Sequence, residues 1–268
     1  MRTRVPLIAL LVTAMLLVAG CGADETDDST ADTGATAPTT GQVSGSIVVS
    51  AAASLTDVFA EIEREFVTAN PEAEVRFNFG SSGQLSTQIR DGAPADVAAF
   101  ADTAPMDALV DAGLLAATPA IFARNELVIV TKPGNPEGIT GLADLADVGV
   151  VALCAETAPC GTFADQALGS AGVSIPTDRI TRAQDVRATL TAVTEGDAVA
   201  GIVYVTDATA VAGAAERVEI PDAHNVLASY PIATLSATSS MEVAAAFQAF
   251  VLSDPAQRLL REAGFLAP

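Results

Sequence analysis

Two serines stand where this chain changes from an extended pattern to a helical one. Ser54 follows Ala51-Ala52-Ala53, and Ser82 lies in Gly80-Ser81-Ser82-Gly83. The first turn of a helix leaves backbone N–H groups without carbonyl partners and carries the positive end of the helix dipole, so it attracts anions. A serine hydroxyl adds a further donor. Two such corners facing each other suit a small tetrahedral oxyanion. Cys160, Val186 and Tyr204 lie at or just after similar junctions further along.

The elements that must position these residues follow a β/α rhythm. Ser46–Ser50 reads as a short buried strand, and Leu55, Val58, Phe59, Ile62, Phe66 and Val67 then recur at helical spacing. Ser54 is the expected N-cap of that helix, with Asp57 three residues on. Val75, Phe77 and Phe79 alternate as a second strand, and Leu85 and Ile89 mark a helix stopped near Gly92. A third strand is expected over Asp96–Phe100, and a helix over Pro105–Ala112. After the apolar strand Glu126–Thr131 the rhythm restarts. A strand spans Gly149–Leu153, a helix runs from Cys160 to Leu168, and Asp185 caps another from Val186 to Thr194. A strand covers Val199–Val203 with Tyr204 at its end, and helices close the chain over Met241–Leu252 and up to Arg261. The pattern predicts mainly parallel sheets flanked by helices. In such sheets ligands sit beyond the carboxyl ends of strands, where helices start. Two candidate residues belong to the first half of the rhythm and three to the second, which favours a cleft between two lobes.

Composition narrows the function. The net charge is −20 and there is a single lysine (Lys132), which argues against nucleic acid as a partner. For an anion binder the same acidity means that recognition must be local, through oriented N–H and O–H dipoles.

Residues 1–20 read as a signal peptide, with Arg2 and Arg4 before the apolar stretch Val5–Val18. Val18-Ala19-Gly20-Cys21 resembles the bacterial lipobox, which makes Cys21 the expected lipidation site. Residues 21–45 then read as an acidic, disordered tether. Location at the cell membrane, anchored by lipid on the extracytoplasmic face, follows. The two remaining cysteines, Cys154 and Cys160, are most simply a disulfide outside the cytoplasm, with two free thiols as the alternative. A metal site is disfavoured, because the chain has one histidine and few ligands lie near the cysteines.

From about Gly45 to Ala267 the chain resembles the molybdate-binding proteins of bacterial ABC importers, which have the type II periplasmic-binding-protein fold. The matching pieces are Ala51–Leu55, Gly80-Ser81-Ser82, Gly92–Val97, Asp185-Val186-Arg187 and Gly201–Tyr204, in order and in register. The resemblance implies a two-lobed α/β protein with lobe 1 at 46–125 plus 231–268 and lobe 2 at 126–230. Glu126–Thr131 and Tyr230–Leu235 are the expected crossovers. It implies that Ser54 and Ser82 each offer a hydroxyl and a backbone N–H, that Cys160 and Val186 offer N–H groups, and that Tyr204 offers its phenol. The ligand is then molybdate or tungstate, bound as an oxyanion without a cofactor or a direct metal ligand, by a monomer that serves an ABC permease. Asp96 is expected to pack or cap, and Arg187 to pair with a carboxylate. A sulfate receptor is the alternative within the class. An enzyme is the alternative outside it, a serine hydrolase using Ser54 or Ser82, but the only histidine, His224, lies in a distant polar turn and no Gly-x-Ser-x-Gly elbow surrounds either serine.

Overall fold

The structure is a computed structural model and describes residues 42–268. The signal peptide, the lipidation site at Cys21 and most of the expected tether lie outside the described residues. Where the tether expectation overlaps them, Val43 is buried and its N–H donates to Asn70 Oδ1 at 3.2 Å.

The first stretch of chain folds as β1 (Gly45–Ala52), α1 (Thr56–Ala69), β2 (Ala73–Gly80), α2 (Ser82–Arg90), β3 (Val97–Ala99), α3 (Thr103–Asp111) and β4 (Ala120–Asn125). It continues through β5 (Leu127–Thr131), β6 (Val151–Cys154), α4 (Pro159–Ser170), β7 (Ile180–Ala183), α5 (Val186–Thr194), β8 (Ala200–Tyr204), α6 (Val205–Ala210) and β9 (Glu216–Glu219). It closes with β10 (Ala228–Thr234), α7 (Met241–Val251) and α8 (Asp254–Glu262).

These strands form two five-stranded sheets, ordered β2-β1-β3-β10-β4 and β7-β6-β8-β5-β9. The chain leaves the first sheet between Asn125 and Leu127 and returns to it between Glu219 and Ala228. Each sheet has a parallel half, made by β2, β1 and β3 in one and β7, β6 and β8 in the other. The antiparallel strands are β10, against β3 and β4, and β5, against β8 and β9. Both are the strands by which the chain enters a sheet from the other one. Such a strand arrives without a helical crossover, so nothing requires it to run parallel. The α/β architecture read from the sequence is present, with this mixture inside each sheet.

Burial explains the patterns. β1 lies between two strands and under helices, so its inner residues read as a continuous apolar run. α1 buries Val58, Phe59, Ile62 and Phe66 along one stripe. Phe59 meets Phe77, Phe122 and Phe247 at ring-centroid distances of 5.9, 5.9 and 6.2 Å, which ties α1 to β2, β4 and α7.

One capping expectation is overturned. Ala53–Leu55 forms a 3-10 turn, the N-cap of α1 is Leu55, and no side chain caps it. Ser54 is drawn away by Tyr230, with which it shares a hydrogen bond of 3.0 Å. Asp57 does not complete a capping box either. It pairs with Arg187 of α5, the carboxylate pairing expected for that arginine. Asp96 also serves the fold, accepting from the Val48 N–H at 2.6 Å and from the Thr238 hydroxyl. Among the described residues no helix is long and apolar enough to cross a membrane, and no group of three or more His, Cys, Asp or Glu side chains could hold a metal ion.

Candidate functional site

Ser54, Ser82, Cys160, Val186 and Tyr204 all line one cavity. The first sheet contributes the corner after β1, the corner after β2 and Ala101 beyond β3. The second contributes the starts of α4 and α5 and the end of β8. The cavity is small, about 10 Å³, on the scale of one small ion and far below a sugar or a peptide.

The chemistry of the wall is a set of neutral donors. Ser82, Cys160 and Val186 lie in the first turns of α2, α4 and α5, where a helix leaves its amides without internal carbonyl partners. Tyr204 is 1% exposed, and its hydroxyl has no hydrogen-bond partner. Ser81, 4% exposed on the same wall, also has an unpartnered hydroxyl. Sequence reasoning chose Ser82 from the pair and passed over Ser81. Two adjacent serines at a turn are equivalent until the helix start is placed. Buried hydroxyls without partners are costly and uncommon, so two around one cavity mark a place built for an acceptor. Burial holds the Tyr204 phenol well above its ordinary pKa, so it stays a donor.

No lysine or arginine lines this cavity, and its one carboxylate, Asp185, turns Oδ1 to the Ala188 N–H at 2.9 Å. A larger cavity of about 240 Å³ on the other side of Ser54 is lined by Asp57, Glu61, Asp207 and Glu262 and would repel an anion. The two cavities therefore differ in acidity, and Ser54 borders both.

Cys154 and Cys160 are joined as a disulfide from the end of β6 to the first turn of α4, with Cα atoms 5.8 Å apart. Gly161 beside it is required by close approach, because a Cβ there would lie 2.1 Å from the Ala155 carbonyl oxygen. Glycine, disulfide and helix start together seat the Cys160 amide on the cavity wall.

Asp207 is 2% exposed, and its Oδ2 has no partner. Burial raises its pKa to about 7, opposed by Arg187 and assisted by Asp57 and Asp185. Below pH 3.8 the carboxyl is protonated whether the chain is folded or not, so it has no effect on stability. Between 3.8 and about 7 the unfolded chain releases its proton first, and stability falls as pH rises. Asp207→Asn is therefore expected to raise the melting temperature relative to wild type at pH 8, with the gain shrinking at pH 4.5. A difference that did not change with pH would show that Asp207 carries no such cost.

The serine of a hydrolase needs a base, and the structure does not bring one. His224 Nδ1 lies 3.2 Å from Ser170 Oγ, and His224 is absent from the cavity wall.

Comparison with known proteins agrees with this geometry. The family model for bacterial extracellular solute-binding proteins matches residues 47–266. The molybdate-binding protein ModA of Mycobacterium tuberculosis is 40% identical over 261 residues, covering 96% of this chain and 97% of that protein. A putative ABC transporter substrate-binding lipoprotein of Bacillus subtilis, YvgL, is 30% identical over 264 residues, covering 96% and 95%. The periplasmic molybdate-binding protein of Azotobacter vinelandii shares the fold, with a TM-score of 0.73 at 22% identity over 83% of this chain and 99% of that one. These relatives bind solutes and are not enzymes. With matches that span nearly its whole described length, the chain belongs to the bacterial extracellular solute-binding protein family, the family that includes the molybdate-binding proteins.

Proposed function

We propose that the protein captures molybdate, and tungstate, in the cavity between Ser54, Ser82, Cys160, Val186 and Tyr204 and delivers it to the permease of an ABC importer. The observation that carries this reading is the pair of buried, unpartnered hydroxyls, Ser81 and Tyr204, set among uncharged helix starts. A fully ionised oxyanion only accepts hydrogen bonds, so a wall of donors satisfies it. Monohydrogen phosphate would need an acceptor for its proton. The identity of the Mycobacterium tuberculosis relative supports the choice among oxyanions.

In this reading lobe 1 is 46–125 plus 231–268, lobe 2 is 126–230, and the monomer closes about the crossovers. Cys21 carries the lipid that holds it to the outer face of the membrane, a role supported by the lipoprotein among its relatives.

Calorimetric titration of the purified protein tests the reading. One-to-one binding of molybdate and tungstate, with sulfate and phosphate silent, is the expected result. Ser82→Ala should weaken binding about 10- to 100-fold, since a hydrogen bond to a charged group contributes about 1.5–3 kcal/mol. Equal binding of sulfate would make the protein a sulfate receptor. A folded sample that bound no oxyanion would leave the serine corners as structural turns.

A further inference from the structure

A serine hydroxyl has one proton to donate and lone pairs to accept with, and what it offers a ligand depends on what the protein has already taken up. For Ser82 the answer is direct. The Ala101 N–H donates to Ser82 Oγ at 3.1 Å, and a backbone N–H can do nothing else. Ser82 thus accepts from the protein, and its own proton is left for the cavity.

Ser54 has an ambiguous partner, because it and Tyr230 are both hydroxyls, 3.0 Å apart. The surroundings remove the ambiguity. Asn125 Oδ1 accepts from the Glu126 N–H at 3.0 Å, which fixes the amide so that Nδ2 faces the other way. Nδ2, a donor only, donates to Thr206 Oγ1 at 2.8 Å and to Tyr230 Oη at 3.4 Å. Tyr230 is fully buried, so its own proton needs an acceptor inside the protein. Ser54 Oγ is the acceptor that hydrogen-bond geometry provides among the described residues. The reverse assignment would leave the buried Tyr230 proton only the neighbouring Tyr204 hydroxyl, with which it has no hydrogen-bond geometry.

We infer that Tyr230, which is not on the cavity wall, fixes the proton order of the site: by donating to Ser54 Oγ it leaves the serine's own proton for the ligand. The proton order runs from the Glu126 N–H to Asn125, from Asn125 to Tyr230, from Tyr230 to Ser54, and from Ser54 to the ligand. Tyr230 does for Ser54 what the Ala101 amide does for Ser82. Both serines then face the ligand as donors. Tyr230 is a positioning residue that acts on the ligand through Ser54. The inference rests on the oxyanion reading of the cavity.

Tyr230→Phe removes the hydroxyl and keeps the ring that packs at 6.2 Å from Phe122, 6.0 Å from Tyr204 and 5.4 Å from Phe265. Titration of this variant should show molybdate affinity down by about 5- to 10-fold, the scale of one net hydrogen bond. In a Ser54→Ala background the same substitution should leave molybdate affinity unchanged, because the serine whose proton it directs is gone. A molybdate affinity held within about twofold in Tyr230→Phe, or an equal loss in the Ser54→Ala background, would overturn the inference.

Proton NMR on the wild type gives a reading that needs no variant. The chain has two tyrosines, so the phenol hydroxyl signals are few. A slowly exchanging Tyr230 hydroxyl proton with cross-relaxation to the Ser54 β-protons is expected, with or without ligand. A Tyr230 proton directed elsewhere would overturn the inference even if the oxyanion reading stood. Failure of the wild type to bind any oxyanion would instead remove the reading beneath it.

Discussion

Gly83→Ala is expected to weaken oxyanion binding by about 10- to 100-fold without lowering the stability of the free protein. Gly83 is the second residue of α2, directly after Ser82. A Cβ at this position would lie 2.2 Å from the Thr157 carbonyl oxygen, a backbone atom of the segment between β6 and α4. The two segments belong to different sheets, and each carries part of the cavity wall, Ser82 on one and Cys160 on the other. A methyl group therefore forces the walls apart at the rim. Overpacking of this kind costs about 1–3 kcal/mol, which is the origin of the expected loss of affinity. Within the helix itself alanine is better than glycine by about 1 kcal/mol, and under the proposed closure the ligand-free lobes part and relieve the contact, so the free protein should melt at or slightly above the wild-type temperature. The diagnostic result is a ligand-induced rise in melting temperature that collapses while the ligand-free value holds. An unchanged affinity would mean that the contact plays no part in binding.

Phe59→Ala should cost about 3–5 kcal/mol of folding stability, the usual range for deleting a buried phenylalanine. Its side chain is fully buried and sits at the centre of the aromatic cluster formed with Phe77, Phe122 and Phe247. These neighbours come from a strand beside β1, an edge strand and a late helix, so none can collapse into the gap without moving a whole element. For a chain of this length the loss corresponds to a melting temperature lower by about 10 °C. Thermal unfolding followed by circular dichroism measures it directly. A drop of under about 3 °C would show that the cluster repacks around the vacancy.

The elements legible in the sequence were those with strong periodicity or long apolar runs. α1 announced itself through Val58, Phe59, Ile62 and Phe66, and β5 through five consecutive buried residues, Leu127–Thr131. The strands β4, β7 and β9 were not legible. All three lie at sheet edges, and β7 and β9 have no buried residue, so neither alternation nor an apolar run distinguishes Ile-Thr-Arg-Ala or Glu-Arg-Val-Glu from a loop. The N-cap assigned to Ser54 failed for a related reason. Local pattern offered a helix start, and a residue 176 positions away took the hydroxyl instead.

By itself the sequence determined which residue types stand at the strand-to-helix corners and the spacing that makes these corners. Those are local properties, set by neighbours within a few positions of each other. The tertiary structure alone decided that the five corner residues share one cavity, that Ser81 and Tyr204 are left without partners there, and that Gly83 touches the Thr157 carbonyl. It also decided the direction of the Ser54 proton, through Asn125 and Tyr230. Each of these depends on groups far apart in the chain meeting within a hydrogen bond's length. Hydrophobic periodicity places an element's faces, but it carries no information about which distant donor will meet which acceptor once those faces are packed.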